Sequence, residues 1–369
     1  MFNNAMGLIL ADNKKISLGE LSGPRALSAI PFAGRYRIID FMLSNMVNSG
    51  IKNIGVLTYN KYKSLMDHLG TGAAWSLDRK NDGLHILPPY VNSEANNING
   101  DEELAGVLDF LRTSRTTYVI VANSNIVLNT TFDDMIESHE KSGADLTVMY
   151  NRDATKFGSP SYILDVDEDG FVKDMLYNPQ KAASNKSSLG IICLRRDMLV
   201  DIISKQMSHG ITHFGIHSMV KMFDEIKVHA YEYNGTALRI NSVQAYFNSS
   251  MSLLNESVRN DLFWSGEPIY TKVKDEAPTL YFDNAHVTDS IVSDGCRIYG
   301  NVEDSIIFRS VTVSKNTTLK NCVVMQDVHI SENCHLENVI LDKNSFVRPG
   351  VRLVGHHDYP VVIGKGAGI

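Results

Sequence analysis

The chain has 369 residues, enough for two domains, and its 43% hydrophobic and 21% charged content is ordinary for a globular protein. A formal net charge of −7, with both signs spread along the chain, excludes a general nucleic-acid binder but leaves room for local anion pockets. Cys193, Cys296, Cys322 and Cys334 form no C-x-x-C pair and read as buried thiols of a reducing compartment. No basic N-terminal region precedes an apolar run, and no apolar stretch reaches about 18 residues, so a cytoplasmic chain without a membrane span is expected.

Ala5 to Ala11 is an almost continuous apolar run, which suits a strand buried on both faces of a parallel sheet. Pro31 to Ile51 begins as a loop, punctuated by Pro31 and Gly34, and becomes a helix. Ile38, Ile39, Met42 and Met46 recur at helical spacing with Leu43 and Val47 beside them, and Gly50 stands where the helix would stop. Arg35, Arg37 and Asp40 lie where loop turns into helix. Two guanidiniums there form an anion site, or else they are solvated arginines flanking a buried helix. Asn53 to Thr58 is a second apolar run, and Lys63 to Leu69 reads as a helix end before Gly70. Leu77 to Gly100, polar and rich in Asn, reads as a long loop over a pocket. Glu102 to Arg112 is helical in pattern. Thr117 to Ala122 is a β-branched strand, followed by Asn123, Ser124 and Asn125.

Thr130 or Thr131 is expected to cap a helix running to about Lys141, with Asp133 and Asp134 in its first turn and Gly143 beyond it. Then come a strand (Asp145 to Tyr150), a hairpin (Tyr162 to Asp174), a strand (Leu189 to Leu194), a helix (Asp197 to Met207), a strand (Ile226 to Tyr233) and a helix (Val243 to Leu254). The alternation predicts an α/β domain with a mostly parallel sheet over residues 1–240, then a helix and linker over 241–278. Ligands of such sheets sit at the carboxyl ends of the strands, here Ala11 to Lys14 and Asn123 to Asn125.

From Thr279 onward no helical period remains. Val328, Cys334, Ile340 and Phe346 are spaced six apart, as are Cys296, Val302 and Phe308, and Val311 and Val323 are twelve apart. A six-residue period means one strand per side of a triangular coil, with one apolar residue pointing inward on each side. A β-sandwich would space its turns at about 8 to 12 residues instead. The spacing favours a left-handed parallel β-helix over residues 279–369, whose apolar ends and edges invite oligomerisation.

The run from Pro31 to Asn45 with Asn48-Ser49-Gly50-Ile51 behind it resembles the PFGGKYRIIDFALSN…NSGI segment of the ADP-glucose pyrophosphorylases, the glucose-1-phosphate adenylyltransferases. It fits best the D-type glycogen-biosynthesis subunit of Gram-positive bacteria, which partners a catalytic subunit. The resemblance implies a nucleotidyltransferase Rossmann-like domain followed by the β-helix, so it covers nearly the whole chain.

Nucleotidyl transfer from ATP to a sugar phosphate requires a glycine-rich phosphate cradle, carboxylates to hold Mg²⁺, and a separate cation for the sugar phosphate. The family's L-A-G-G-x-G-x-R-L reads Leu10-Ala11-Asp12-Asn13-Lys14-Lys15-Ile16-Ser17-Leu18, without glycines or arginine, and Asp12 would face the triphosphate with like charge. R-A-K-P reads Arg25-Ala26-Leu27-Ser28. The first metal aspartate, in A-G-D-H, is Ser124. The second, in W-R-D-V-G-T, is Ile240, between Arg239 and Asn241 and ahead of Tyr246-Phe247. E-K-P reads Tyr177-Asn178-Pro179, and G-T-A-D-A is blurred into Gly100 to Leu104. No Asp or Glu lies between Tyr118 and Phe132 or between Gly235 and Leu254, so no register shift supplies either carboxylate.

The resemblance thus implies a regulatory, catalytically deficient subunit that is inactive or weakly active alone. It would partner a catalytic glucose-1-phosphate adenylyltransferase subunit in a heterotetramer, and the Mg²⁺ would belong to that partner. No catalytic residue, metal or cofactor is expected in this chain. Asp12, Asn13, Leu27 and Asn178 are eroded substrate positions, and Arg25, Arg35, Arg37 and Arg239 are candidates to bind a phosphorylated small-molecule effector. The alternative is an active sugar-1-phosphate nucleotidyltransferase whose metal ligands have moved to Asp12 or Asp101. Three weaker features remain. His209, His213 and His217 have metal-ligand spacing, but Gly210 and Gly215 interrupt it; His356-His357-Asp358 reads as a polar loop. An acyltransferase on the β-helix would need a catalytic histidine, and His286, His329 and His335 sit in no motif. No G-x-S-x-G follows a strand.

Overall fold

The structure, a computed structural model, describes residues 4–12, 16–59, 61–87, 100–152, 161–180, 184–209, 215–264 and 266–369, with 100–103 as helix backbone only. The central strand Ala5–Leu10 is buried along its length. It pairs in parallel with Asn53–Leu57 on one side and Tyr118–Asn123 on the other. Gly83–Leu87 extends the parallel ladder beyond Asn53–Leu57. Alternate residues of the central strand face opposite ways, as the strand period of two requires. Ala5 and Ile9 join Met42 and Met46 of the helix Ile38–Asn48 and Met135 of the helix Asp133–Ser142. Met6, Leu8 and Leu10 join Val107 and Leu111 of the helix Gly100–Thr113 and Ile203 of the helix Arg196–Ser208. Helices therefore cover both faces, which is why the strand can be apolar throughout. Gly7 lets the Ile38–Asn48 helix come close, since a Cβ there would lie 2.4 Å from the Met46 sulfur.

Beyond Tyr118–Asn123 the sheet becomes mixed. The long strand Ser187–Arg195 runs antiparallel to Tyr118–Asn123 and to Leu146–Asn151. Val228–Glu232 returns parallel to Leu146–Asn151, and the hairpin Tyr162–Val166/Val172–Tyr177 forms the edge. The helix expected to start at Thr130 or Thr131 starts later, with Phe132 at its N-cap. The Thr130 hydroxyl donates to the Thr131 carbonyl instead, and the Phe132 amide donates to Ser49 Oγ. Ser242 caps the helix Val243–Ser252, its hydroxyl accepting from the Ala245 amide at 3.0 Å.

After residues 266–279, which run without helix or strand, the chain winds into a left-handed parallel β-helix. One face stacks Leu280–Tyr281, Arg297–Ile298, Thr312–Val313, His329–Ile330 and Phe346–Val347 in parallel register. Corners turn on left-handed residues, among them Asp304, Asn321 and Asn338 at φ 46°, 50° and 52°. Asp and Asn are the side chains that tolerate this conformation best. Cys296, Val302, Val311, Val328 and Cys334 fill the coil as their spacing predicts. Phe346 does not. The register slips at a corner, so Phe346 faces outward over His329, with ring centroids 5.4 Å apart, and Val347 takes the inner place above Ile330.

Phe308, Val323 and Ile340 are buried in a different environment, the apolar seam between the β-helix and the first domain. Their neighbours there include Leu27, Phe32, Phe41, Ile240, Tyr246 and Phe247. The Tyr246 hydroxyl donates to the Pro31 carbonyl at 2.8 Å, and Gly34, at φ 79°, backs onto Ser293, so no Cβ would fit. Truncating a large aromatic in a closed core costs about 3–5 kcal/mol. Phe308→Ala should lower the unfolding free energy of the full chain by about that amount in a urea titration. A loss below about 1 kcal/mol would mean the seam is not closely packed.

Candidate functional site

Of the eroded positions, Ser124 and Ile240 adjoin at the carboxyl ends of the central strands, while Asn178 lies apart, exposed at φ 42° just past the hairpin strand Val172–Tyr177. The Ser124 amide donates to the Leu10 carbonyl at 3.1 Å, and Ser124 is almost fully buried. The short strand Leu238–Arg239 pairs antiparallel with Ile126–Val127, and the Ile240 amide donates to the Asn125 carbonyl at 2.8 Å. The two positions that the resemblance assigns to metal carboxylates are therefore brought onto adjoining backbone. At these two positions the side chains are a hydroxyl and an alkyl group. Ile240 has no solvent exposure and shares the seam cluster with Leu27, at the motif's phosphate-binding lysine. Mg²⁺ needs several oxygen ligands with negative charge among them, so one hydroxyl beside an alkyl side chain does not fit it. Among the described residues no group of three or more His, Cys, Asp or Glu could hold a metal. Asp12 is half-buried and already has a partner; Asn13, His213 and the Asp101 side chain lie outside the described residues.

The four candidate arginines do not form one pocket. Arg25 is buried and makes a bidentate ion pair with Asp342 of the β-helix, both bonds 2.9 Å. Arg37 donates to the Ser64 carbonyl and hydroxyl at 2.8 and 2.9 Å; burial lowers its pKa and Asp40 opposes that. Arg35 is exposed, its guanidinium 5.7 Å from the Tyr36 ring centroid. Arg239 lies apart from these, buried under the hairpin, where it donates to the Ser188 carbonyl and to Ser187 Oγ. Burial pushes its pKa down to about 10. Arg25 and Arg239 thus hold the fold together as well as carrying charge. His217 is no metal ligand in this geometry. Its ring stacks on Tyr162 at 3.8 Å, and burial, then Arg239 and Lys221, push its pKa down to about 3.

The structure adds cations that no motif marks. Lys343 follows Asp342, and its amide donates to Asp342 Oδ1 at 2.7 Å. Lys365 lies on the next coil, where the Gly366 amide donates to the Lys343 carbonyl at 2.9 Å. Burial, with Arg37, Arg25 and Lys365 nearby, pushes the Lys343 ammonium down to about 8, although Asp327 opposes. Arg25 and Asp342 are 317 positions apart, so nothing local in the sequence announces this seam cluster. The folded-state pKa of Lys343 lies below its ordinary 10.5, so folding disfavours the charged form. That cost is fully present below about pH 8 and is relieved as pH rises from there to 10.5. Lys343→Met should therefore raise the melting temperature at neutral pH, and the gain should fade on the way to pH 10.5. A melting curve unchanged at neutral pH would contradict this.

Residues 7–256 match the Nucleotidyl transferase family, and residues 279–358 match the GlmU-like, C-terminal hexapeptide family. The chain is 37% identical over 368 residues to the glycogen biosynthesis protein GlgD of Bacillus subtilis (strain 168), covering 99% of this chain and 97% of that protein. It is 36% identical over 369 residues to GlgD of Geobacillus stearothermophilus, with 99% and 97% covered. It is 31% identical over 362 residues to the glucose-1-phosphate adenylyltransferase of Fervidobacterium nodosum (strain ATCC 35602 / DSM 5306 / Rt17-B1), with 96% and 86% covered.

Proposed function

Because the chain belongs to the nucleotidyl transferase family, in the branch that joins GlgD proteins and glucose-1-phosphate adenylyltransferases, we propose that it is a regulatory, catalytically deficient subunit in glycogen biosynthesis. It modulates a catalytic glucose-1-phosphate adenylyltransferase subunit, with a heterotetramer in the cytoplasm as the assembly. No helix among the described residues is long and apolar enough to cross a membrane.

The observation that carries this reading is the burial of Ile240 and Leu27 in the interdomain seam. In adenylyl transfer the sugar phosphate attacks the α-phosphate of ATP and diphosphate leaves. The charge that builds up is stabilised by a carboxylate-held Mg²⁺ and by cations on the phosphates. Ile240 presents no oxygen and Leu27 no charge, and both side chains are committed to the core. The Mg²⁺ therefore works in the partner.

Modulation follows from differential binding: this chain favours the partner's active conformation by assembling with it more tightly in that state. A phosphorylated effector fits the seam better than the vacated pocket. Arg37, Lys343 and Lys365 gather there around the Arg25–Asp342 pair, and an anion would relieve their mutual repulsion. These groups come from both domains, so its binding would bias the interdomain geometry that a partner contacts.

Mixing the purified chain with a catalytic subunit from the same cell should produce a complex by analytical ultracentrifugation. The rate of ADP-glucose formation, or its response to phosphorylated effectors, should change several-fold, a coupling of about 1–3 kcal/mol. Separate species with unchanged kinetics would overturn the proposal.

A further inference from the structure

Lys343 is half-buried on the β-helix, and among the described residues its ammonium has no hydrogen bond or ion pair. Three cations from three segments face it. Arg37 stands at the start of the helix Ile38–Asn48, Arg25 lies upstream of it, and Lys365 is on the next coil. Two carboxylates come from the β-helix. Asp327, on the preceding coil, is exposed, and Asp342 is taken up by both terminal nitrogens of Arg25. Arg37 bonds Ser64 through Nη1 alone among the described residues, so part of its fork is left for another acceptor.

This setting makes the amine a nucleophile. Burial and the neighbouring cations hold its pKa at about 8, so roughly one amine in ten is uncharged at pH 7, against about one in 3,000 for an ordinary lysine. Carbon dioxide, a small apolar electrophile, needs no large pocket to reach a half-buried amine. We propose that Lys343 is a reversible carbamylation site, where carbon dioxide converts the amine into a carbamate held by Arg37 and Lys365. The nitrogen lone pair attacks the carbon, one carbon–oxygen π bond opens onto oxygen, and the nitrogen gives up a proton to water. Amine and carbon dioxide become carbamate and a proton, with nothing oxidised or reduced. Position 343 thereby changes sign, and repulsion among the cations becomes attraction. A planar carbamate also matches the guanidinium fork as a carboxylate does. Acylation would only remove the charge and leave the neighbouring cations unpaired. Arg37 belongs to the first domain and Lys343 to the β-helix, so the carbamate ties the two domains together in response to carbon dioxide. None of this depends on whether the chain turns over ATP.

The test incubates the full-length chain at about pH 8 with carbon dioxide and bicarbonate, traps carbamates with triethyloxonium, and reads the ethyl carbamate by peptide mass spectrometry. An added peptide with a free α-amino group, which ordinarily titrates at about 8, shows that the trapping worked. Lys343 should carry about tenfold or more adduct than the exposed Lys221. Lys365→Met, at an exposed position, should lower that adduct several-fold. The melting temperature should rise in carbon dioxide and bicarbonate relative to chloride of equal pH and ionic strength. Lys343→Arg, which keeps the charge but forms no carbamate, should abolish the rise. No adduct on Lys343 while the control peptide is trapped would overturn the proposal. So would equal adduct on Lys343 and Lys221, or a Lys343→Arg chain stabilised as much as the wild type, which would assign the effect to bicarbonate bound as an ion.

Discussion

Apolar burial between the first domain and the β-helix constrains the rest of the chain. Phe32, Phe41, Tyr246, Phe247 and Phe308 are closed off from water in one cluster with Leu27 and Ile240. Each such side chain contributes about 1.5–3 kcal/mol on burial, against a net stability of about 5–15 kcal/mol for a folded domain. A carboxylate at position 240 would have to be buried in that cluster, at a cost of several kcal/mol unless a cation repaid it. Isoleucine at this position suits the closed seam, where a carboxylate would not. The Arg25–Asp342 pair, buried between the two domains, adds little net stability, because desolvating both charges offsets most of their attraction.

Much of this was legible in the sequence because the signals are local. The apolar run at Ala5 to Ala11, the helical spacing after Ile38 and the six-residue period after Thr279 each reflect the geometry of a single element. The absence of acidic residues between Tyr118 and Phe132 and between Gly235 and Leu254 is likewise a local fact of the sequence. Long-range features were not. Asp342 as the partner of Arg25, and Lys343 and Lys365 at the seam, depend on segments that only the fold brings together. Phe346 and the cap at Phe132 show a smaller limit. A one-residue slip at a corner turns a side chain from inside to outside, and a threonine hydroxyl that finds a nearer carbonyl does not cap.

The parts retained and the parts lost sort by chemistry. The Ile240–Asn125 hydrogen bond joins the backbone of the two loops, and the domain order of the family is intact. At the positions that the resemblance assigns to the metal and to phosphate, Ile240 and Leu27 are apolar and Ser124 is small. Positive charge gathers at the seam, where Arg25, Arg37 and Lys365 surround Lys343.

The most direct measurement is ADP-glucose formation by the purified chain alone, supplied with ATP, glucose 1-phosphate and Mg²⁺. No turnover above the uncatalysed background is expected. Substantial turnover would mean that carboxylates such as Asp12 or Asp101 rebuild the metal site, and that Ser124 and Ile240 do not mark its loss.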